Sequence, residues 1–197
     1  MNYLLLDSSN VLLQVGLKKN NKIIDRISYA CFQRQSEYMV LEIQKLCKRN
    51  KFDIKKLDGV MVTIGPGSYT GIRIALTIAK VICYALNIPI YPASTLEINK
   101  VIGEDSIVLF NAKSNRSYIA AFSKNKRLLK DQVLNNDDVK KYINKHPKFK
   151  LVGDLSYLNL KGIKVDSLDN MNKLFGSIKP VKNPNLVKPI YLKETYL

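Results

Sequence analysis

The stretch VMVTIGPGSYTGIRIALTIAKVICYAL, residues Val60–Leu86, decides the fold. An apolar run of strand length comes first, a Gly-Pro-Gly loop follows, and a long apolar segment with helical periodicity ends the stretch. Ser68 or Thr70 can cap this helix, and Asn87 with Pro89 is expected to end it. The stretch therefore predicts a buried strand, a tight turn and a helix of about five turns.

The Gly-Pro-Gly loop is similar to a phosphate cradle, because a helix N-terminus with free N–H groups attracts anions. A Walker loop, however, needs a lysine directly after its last glycine, and the first lysine after this loop is Lys80. The two glycines more simply permit a tight turn, with the proline fixing one dihedral angle. We therefore expect a structural loop. Nucleotide binding is the alternative, and its candidate residues are Asp7, Ser8, Gly65, Gly67 and Ser68.

The composition is that of a folded protein with one ordinary core or two small lobes, because 46% of its 197 residues are hydrophobic. The N-terminal apolar run has only four residues and no basic flank, which predicts neither a secretion signal nor a membrane span. We therefore expect a cytoplasmic protein. The three cysteines form no Cys-x-x-Cys pair, and they predict buried thiols rather than a disulfide framework or a zinc site.

The net charge of +16 suggests nucleic-acid binding, because clustered Lys and Arg side chains bind phosphates. Residues 1–110 carry 14 basic and 9 acidic side chains, whereas residues 111–197 carry 18 and 7. Six basic residues of the second half are expected to cluster on its strands and turns: Lys113, Arg116, Lys124, Lys126, Arg127 and Lys130. The RNA-binding candidates among them are Lys124, Lys126 and Arg127. Codon bias in an A/T-rich genome, which enriches lysine, is the competing explanation.

The remaining pattern is that of an α/β protein. Three strand patterns joined by breaks at Asn10 and Asn20–Asn21 predict a meander over residues 2–9, 11–19 and 22–32. A helix capped by Ser36 is predicted over residues 36–50. A short strand over residues 88–91 and a short helix over residues 94–102 follow the central helix.

The chain then begins the same pattern again. Residues 107–134 align with residues 4–28 as strand, polar turn, strand, basic turn and strand, and a helix over 137–146 follows. Asn111 aligns with Asp7. This duplication predicts two related α/β lobes, 1–104 and 105–197, of which the second is smaller, more basic and reduced. The C-terminal segment is a candidate to pack back on the first lobe.

A duplicated α/β lobe with an acidic residue at the end of its first strand resembles the actin and heat-shock-protein ATPase superfamily, whose lobes are RNase H-like. Within that superfamily, the match is to the bacterial tRNA threonylcarbamoyladenosine biosynthesis family TsaB, also called YeaZ. The segments that carry it occur in the family's order: LLLDSS, IGPGSYTGIRIALTIAK, IPIYPASTLE, NAKSNRSYIAAF and KPIYLK. The resemblance covers nearly the whole chain.

The resemblance implies a non-catalytic subunit, a degenerate paralogue of the catalytic subunit TsaD. The two would pair so that threonylcarbamoyl is transferred to the adenosine beside the tRNA anticodon. The implied partners are TsaD, the small ATPase TsaE and tRNA held by the assembled complex, with a homodimer as the alternative state of the isolated chain. An older label of the family, glycoprotease, suggests a peptidase instead.

The residues argue against metal catalysis. The catalytic paralogue holds a metal through two histidines on one helix, whereas this chain has only His146. The second-lobe counterpart of Asp7 is the neutral Asn111, which lacks the charge that a hard cation needs. We therefore predict no catalytic residue, no metal and no cofactor. The alternatives are a metallopeptidase, a nucleotide-binding kinase of actin-like fold and a free-standing RNA-binding protein.

The central helix is apolar around most of its circumference, which predicts a second covering element besides its own sheet. Gly71, Ala75 and Ala79 recur at every fourth residue and form a small-residue track that another helix could approach closely. That helix is either the 36–50 helix of the same chain or, as the resemblance implies, part of a four-helix bundle with TsaD. The partner-binding candidates are Gly71, Ile72, Arg73, Ala75, Leu76, Ile78, Ala79, Ile82, Met39 and Ile43.

Overall fold

The computed structural model describes residues 1–31 and 34–192. The described chain forms two compact units. The first consists of Met1–Thr95 and Met171–Ile190, and the second consists of Leu96–Asn170 with Tyr191 and Leu192. Phe32, the predicted end of the third strand, and Lys193, the last residue of the KPIYLK segment, lie outside the described residues.

The first unit is a five-stranded sheet with two long helices. Its elements are β1 (Asn2–Asp7), β2 (Leu12–Lys19), β3 (Lys22–Ala30), α1 (Gln35–Arg49), β4 (Gly59–Thr63), α2 (Tyr69–Leu86) and β5 (Ile90–Ala93). The strand order is β3-β2-β1-β4-β5. Strands β1, β2 and β3 form the predicted antiparallel meander, and β4 and β5 run parallel to β1.

One face of this sheet makes the core with α1 and α2. Leu4 and Leu6 of β1 and Val60 and Val62 of β4 lie in one buried cluster, because alternate residues of a strand point to the same side. Met39, Ala75 and other buried residues of the two helices belong to the same cluster. The C-terminal segment contributes Val181 and Val187 to it, so this part of the chain returns to the first unit.

The ends of α2 follow the sequence prediction, whereas the start of α1 does not. The Ser68 side chain caps α2 by accepting a hydrogen bond from the N–H of Gly71 at 3.2 Å. Asn87 ends α2 in the left-handed conformation, with φ 52°. The prediction that Ser36 caps α1 is wrong, because the helix already begins at Gln35 and no side chain caps its first turn.

The second unit repeats the arrangement on a smaller scale. Its elements are α3 (Thr95–Ile98), which leads into it, β6 (Ser106–Lys113), β7 (Arg116–Ser123), β8 (Lys126–Asn135), α4 (Asn136–Lys145), β9 (Lys150–Val152) and α5 (Ser167–Leu174), which leads out of it. The strand order is β8-β7-β6-β9, with a meander and then a strand parallel to β6. The predicted duplicated α/β fold with a reduced second lobe is therefore confirmed.

The helix predicted over residues 94–102 is shorter than expected. Helix α3 ends at Ile98, and the carbonyls of Ile98 and Lys100 each accept a hydrogen bond from the Asn170 side-chain amide at 2.8 Å. The carbonyls thus have a partner outside a helix, which propensity alone does not reveal.

The aligned residues Asp7 and Asn111 make the same local turn. Asp7 Oδ1 accepts a hydrogen bond from the N–H of Ser9 at 3.0 Å, and Asn111 Oδ1 accepts one from the N–H of Lys113 at 2.8 Å. Both bonds span two residues, as in an Asx turn. Asp7 is buried and Asn111 is exposed, so the same backbone turn has different surroundings in the two units.

Candidate functional site

The candidate site is the turn between β4 and α2, and four backbone hydrogen bonds hold it within the first unit. On the β4 side, Ile64 donates to Ala93 at 2.9 Å and accepts from Ile190 at 2.7 Å. Gly65 accepts from the N–H of Thr95 at 2.9 Å. Ser68 donates to the carbonyl of Ser9 at 2.7 Å. The loop is thus fixed by the turn after β1, the end of β5 and the C-terminal segment.

Two glycines of this turn are required by the backbone. Gly65 has φ 107°, a conformation that L side chains rarely adopt, and a Cβ there would lie 2.6 Å from the carbonyl oxygen of Ile190. At Gly71, in the first turn of α2, a Cβ would overlap the carbonyl oxygen of Ser8. The helix therefore begins in direct contact with the turn that follows β1.

The predicted nucleotide-binding residues do come together here, at the end of β1 and in the β4–α2 turn. Asp7 is 4% exposed, and its Oδ1 accepts hydrogen bonds from Ser9 Oγ at 2.6 Å and Thr63 Oγ1 at 2.8 Å as well as from the Ser9 N–H. The N–H groups of Ser68 and Gly71 are also engaged, by Ser9 and Ser68 respectively. An anion at this helix terminus would have to compete for these donors.

One polar atom of the site stands out. Ser8 is completely buried, and its Oγ has no hydrogen-bond partner among the described residues. A buried hydroxyl without a partner costs free energy, because no hydrogen bond compensates for the loss of its contact with water.

No group of three or more His, Cys, Asp or Glu side chains within residues 1–31 and 34–192 could hold a metal ion. His146, the one histidine, lies at the C-terminal end of α4, where its Nδ1 is 2.9 Å from the carbonyl oxygen of Tyr142. Its ring packs against Tyr142 and Phe149, with centroid distances of 4.3 and 5.0 Å. These contacts are those of a packed surface residue.

The three cysteines are free thiols; Cys31 and Cys83 are buried as expected, whereas Cys47 is only partly buried. Burial raises the pKa of Cys83 to about 12, and burial likewise raises the pKa of the half-buried Cys47. A thiol with a raised pKa is a poor nucleophile at neutral pH, because little thiolate is present.

The small-residue track is not a surface. Seven of the ten predicted partner-binding residues are buried in the core of the first unit: Met39, Ile43, Gly71, Ile72, Ala75, Leu76 and Ala79. The reason is that this side of α2 is the one that packs on the sheet and on the turn after β1. Arg73 is exposed, and Ile78 and Ile82 are half-buried. The predicted track therefore belongs to the internal core.

The opposite side of the helical layer is exposed, and large apolar side chains lie there beside polar ones such as Arg73 and Thr77. Val40 and Leu41 of α1 are 44% and 47% exposed, and Tyr69, Val81 and Tyr84 of α2 are 50%, 62% and 74% exposed. We call these five residues the exposed helix face. The sequence interpretation missed these five residues, although the spacing along α2 places Tyr84 opposite the small-residue track, beside Arg73 and Thr77. Helix α2 also meets the length and hydropathy of a membrane span, as core helices of soluble proteins do.

The predicted basic cluster of the second unit does not form as expected. Lys113 and Arg116 flank the β6–β7 turn, whereas Lys124 and Lys126 flank the β7–β8 turn. These turns lie at opposite ends of β7, which has eight residues and a length of about 25 Å.

The three RNA-binding candidates also differ from one another. Lys124 and Lys126 are exposed. Arg127 instead pairs with Asp131 and, at 2.9 Å, with Glu97, and its guanidinium lies 4.9 Å from the centroid of the Phe122 ring. These contacts hold the Arg127 side chain within the second unit. Lys124 and Lys126 are the two candidates at this turn that can contact solvent or a partner.

Comparison with known proteins shows which family this chain is similar to. The family model of TsaD, described as tRNA N6-adenosine threonylcarbamoyltransferase, matches residues 30–164. The tRNA threonylcarbamoyladenosine biosynthesis protein TsaB of Buchnera aphidicola from Acyrthosiphon pisum is 32% identical over 127 residues, which cover 61% of this chain and 57% of the relative. The protein of the same name from Bacillus subtilis is 29% identical over 143 residues, covering 71% and 62%. The aligned part of this chain thus spans less than two thirds of either relative.

A solved structure matches the fold over nearly the whole chain. It is a crystal structure of an uncharacterized protein with similarity to peptidase YEAZ from Pseudomonas aeruginosa, with a TM-score of 0.80 and coverage of 98% of this chain and 99% of that chain. At 17% identity, this likeness concerns the fold alone. The resemblance to the TsaB (YeaZ) group is confirmed. Because the family model matches more than half of its length, the chain belongs to the TsaD family.

Proposed function

We propose that this protein acts in tRNA N6-threonylcarbamoyladenosine biosynthesis as a non-catalytic subunit that binds a catalytic TsaD-type subunit. The observation that carries the proposal is the family match over residues 30–164 together with the TsaB name of the two relatives. In this assignment the protein works in the cytoplasm, and TsaE and tRNA join through the assembled complex.

The non-catalytic part of the proposal rests on the residues of the candidate site. The carboxyl of Asp7 is buried, and Ser9 and Thr63 already donate hydrogen bonds to it. Its counterpart in the second unit is the amide Asn111, and His146 is packed between aromatic rings. A transferase or hydrolase needs a general base, a nucleophile or a metal at the reacting atoms, and none of these side chains is arranged for such a role.

The partner-binding part of the proposal rests on the exposed helix face. Large apolar side chains that are 44–74% exposed, as these five are, are typical of protein interaction sites. Tyrosine is enriched at such interfaces because it buries a large area and retains a polar end. In this proposal the buried side of α2 fixes the helix on the sheet, and its outer side contacts helices of the catalytic subunit.

The test is co-purification with a catalytic TsaD-type subunit. Val81→Asp and Tyr84→Asp place a charge where apolar area would be buried, and each should reduce complex formation at least tenfold, equivalent to about 1.4 kcal/mol. Leu128→Asp is the matched control, because Leu128 is 54% exposed on β8 of the second unit, outside the helix face. Normal complex formation by both helix variants would refute the docking surface.

The family description gives the competing function, in which this chain is itself the transferase. Purified protein, supplied with threonylcarbamoyl-adenylate and tRNA but without a second subunit, should produce no modified adenosine. Modification by the isolated chain that is lost in Asp7→Asn would overturn the non-catalytic assignment. The same preparation, assayed for peptide and ATP hydrolysis, tests the metallopeptidase and kinase alternatives.

A further inference from the structure

A second site is suggested by a groove in the first unit, on the face of the sheet that does not contact α1 and α2. Lys18 of β2 pairs with Tyr3 of β1, and both point away from the cluster formed by Leu4 and Leu17, their neighbours in sequence. The groove has a volume of about 540 Å³. Its lining includes Tyr3, Lys18, Asn21, Asn172, Lys173 and Phe175.

Lys18 is the unusual residue of this groove. It is only 4% exposed, and its Nζ donates one hydrogen bond, to Asn172 Oδ1 at 2.7 Å. The ammonium lies 5.3 Å from the centroid of the Phe175 ring, and it has no carboxylate partner among the described residues. An ammonium has three donors and is costly to bury without an opposite charge. The groove therefore contains an unneutralised positive charge with two donors to spare.

The other walls add charge, rings and amides. No aspartate or glutamate is among the described residues that line the groove, and the exposed Lys173 adds a second cation at its rim. Phe175 and Tyr3 form its aromatic wall, with ring centroids 4.1 Å apart. The exposed Asn21 side chain can donate to and accept from the edge of a base.

We propose that this groove binds a nucleotide, with its phosphate at Lys18 and its base along the aromatic wall. Lysine binds phosphate as a point charge. Aromatic and amide side chains are the groups that contact bases in nucleotide and single-stranded RNA sites. The volume is in the range of small-molecule sites. The phosphate belongs either to a free nucleotide or to a nucleotide unit of RNA, since the chemistry recognised is the same.

This site is separate from the proposed function. Tyr3 lies at the start of β1, whereas the candidate site around the β4–α2 turn lies beyond its end at Asp7. The groove also lies on the opposite side of the sheet from the exposed helix face. Failure of nucleotide binding at Lys18 therefore leaves the docking proposal intact, and the reverse also holds.

The experiment titrates the full-length protein with AMP, with a single-stranded RNA hexamer and with inorganic phosphate. Lys18→Met removes the charge at similar side-chain length and should weaken binding of AMP or RNA at least tenfold. Lys19→Met is the matched control, because Lys19 is the next residue of β2 and is exposed; it should change affinity less than twofold. RNA binding that is tighter than AMP binding assigns the site to RNA, and the opposite order assigns it to a free nucleotide.

A measurement on the unmodified protein keeps the test independent of the folding of the variant. In ¹⁵N-labelled protein, AMP or RNA should shift the amide signals of Lys18, Asn20 and Asn172 and leave those of Ser8 and Gly67 in place. Three results would overturn the proposal. These are no binding of either ligand at millimolar concentration, equal affinities of Lys18→Met and Lys19→Met, and inorganic phosphate binding as tightly as AMP.

Discussion

Replacing Gly71 by alanine tests whether the start of α2 is fixed by direct contact with the turn after β1. On helix propensity alone, alanine should stabilise α2 by about 1 kcal/mol relative to glycine. The contact acts in the opposite direction, because the new Cβ would overlap the carbonyl oxygen of Ser8. Backbone on both sides must shift to relieve this overlap, and overpacking typically costs about 1–3 kcal/mol.

The upper end of that range applies at Gly71, because the obstructing atom is a backbone oxygen and no side chain can rotate away. A cost of about 3 kcal/mol less a propensity gain of about 1 kcal/mol gives a net loss of about 2 kcal/mol in the free energy of unfolding. The measurement is urea unfolding followed by far-ultraviolet circular dichroism. Gly176→Ala is the control, since a Cβ there meets nothing within 4 Å and should change stability by less than about 0.5 kcal/mol. Gly71→Ala with wild-type or higher stability would refute the contact.

Two further predictions concern polar groups of the first unit. Ser9→Ala removes the 2.6 Å hydrogen bond to buried Asp7 and should lower the free energy of unfolding by about 1–3 kcal/mol. Ser8→Ala removes a buried hydroxyl without a hydrogen-bond partner among the described residues and should not lower it. Equal losses in the two variants would contradict this reasoning. The Arg49 side-chain hydrogen bond lowers the pKa of Asp25 from its ordinary value of 3.8, so its stabilisation is present above that value and is lost as the pH falls through the lower pKa of the folded state. Because the pair is partly exposed, Arg49→Met should cost less than about 1 kcal/mol near pH 7. In acid-unfolding curves its difference from wild type should shrink below pH 3.8 and vanish once Asp25 is protonated in the folded state.

The sequence predicted most of the fold because its signals are local. The strand, loop and helix of Val60–Leu86 follow from periodicity and from caps that act within a few residues, as Ser68 and Asn87 do. The duplication was visible because both meanders repeat the same order of strands and turns. The length of α3 was overestimated because the side chain that binds the carbonyls of Ile98 and Lys100 is distant in sequence. This side chain belongs to Asn170, which lies 72 residues after Ile98.

The site was harder to predict because its contacts join residues that are distant in sequence. Small residues spaced by four mark a close approach, but the spacing does not say which neighbour approaches. At Gly71 the neighbour within this chain is the backbone of Ser8, more than sixty residues earlier. The distribution of lysines likewise did not reveal that β7 separates two basic turns, or that Lys18 is buried while Lys19 is exposed.

The two sides of α2 can be separated by experiment. The loop and Gly71 fix the start of the helix through contacts with Ser9, Thr95 and Ile190, whereas Tyr84 lies in its last turn and faces outward. Tyr84→Asp should therefore leave the unfolding curve nearly unchanged and weaken docking to a TsaD-type subunit. Gly71→Ala should lower stability and, because it displaces the helix, weaken docking as well without altering any exposed side chain. If Gly71→Ala lowers stability but leaves docking unchanged, the exposed helix face does not depend on how the loop positions α2.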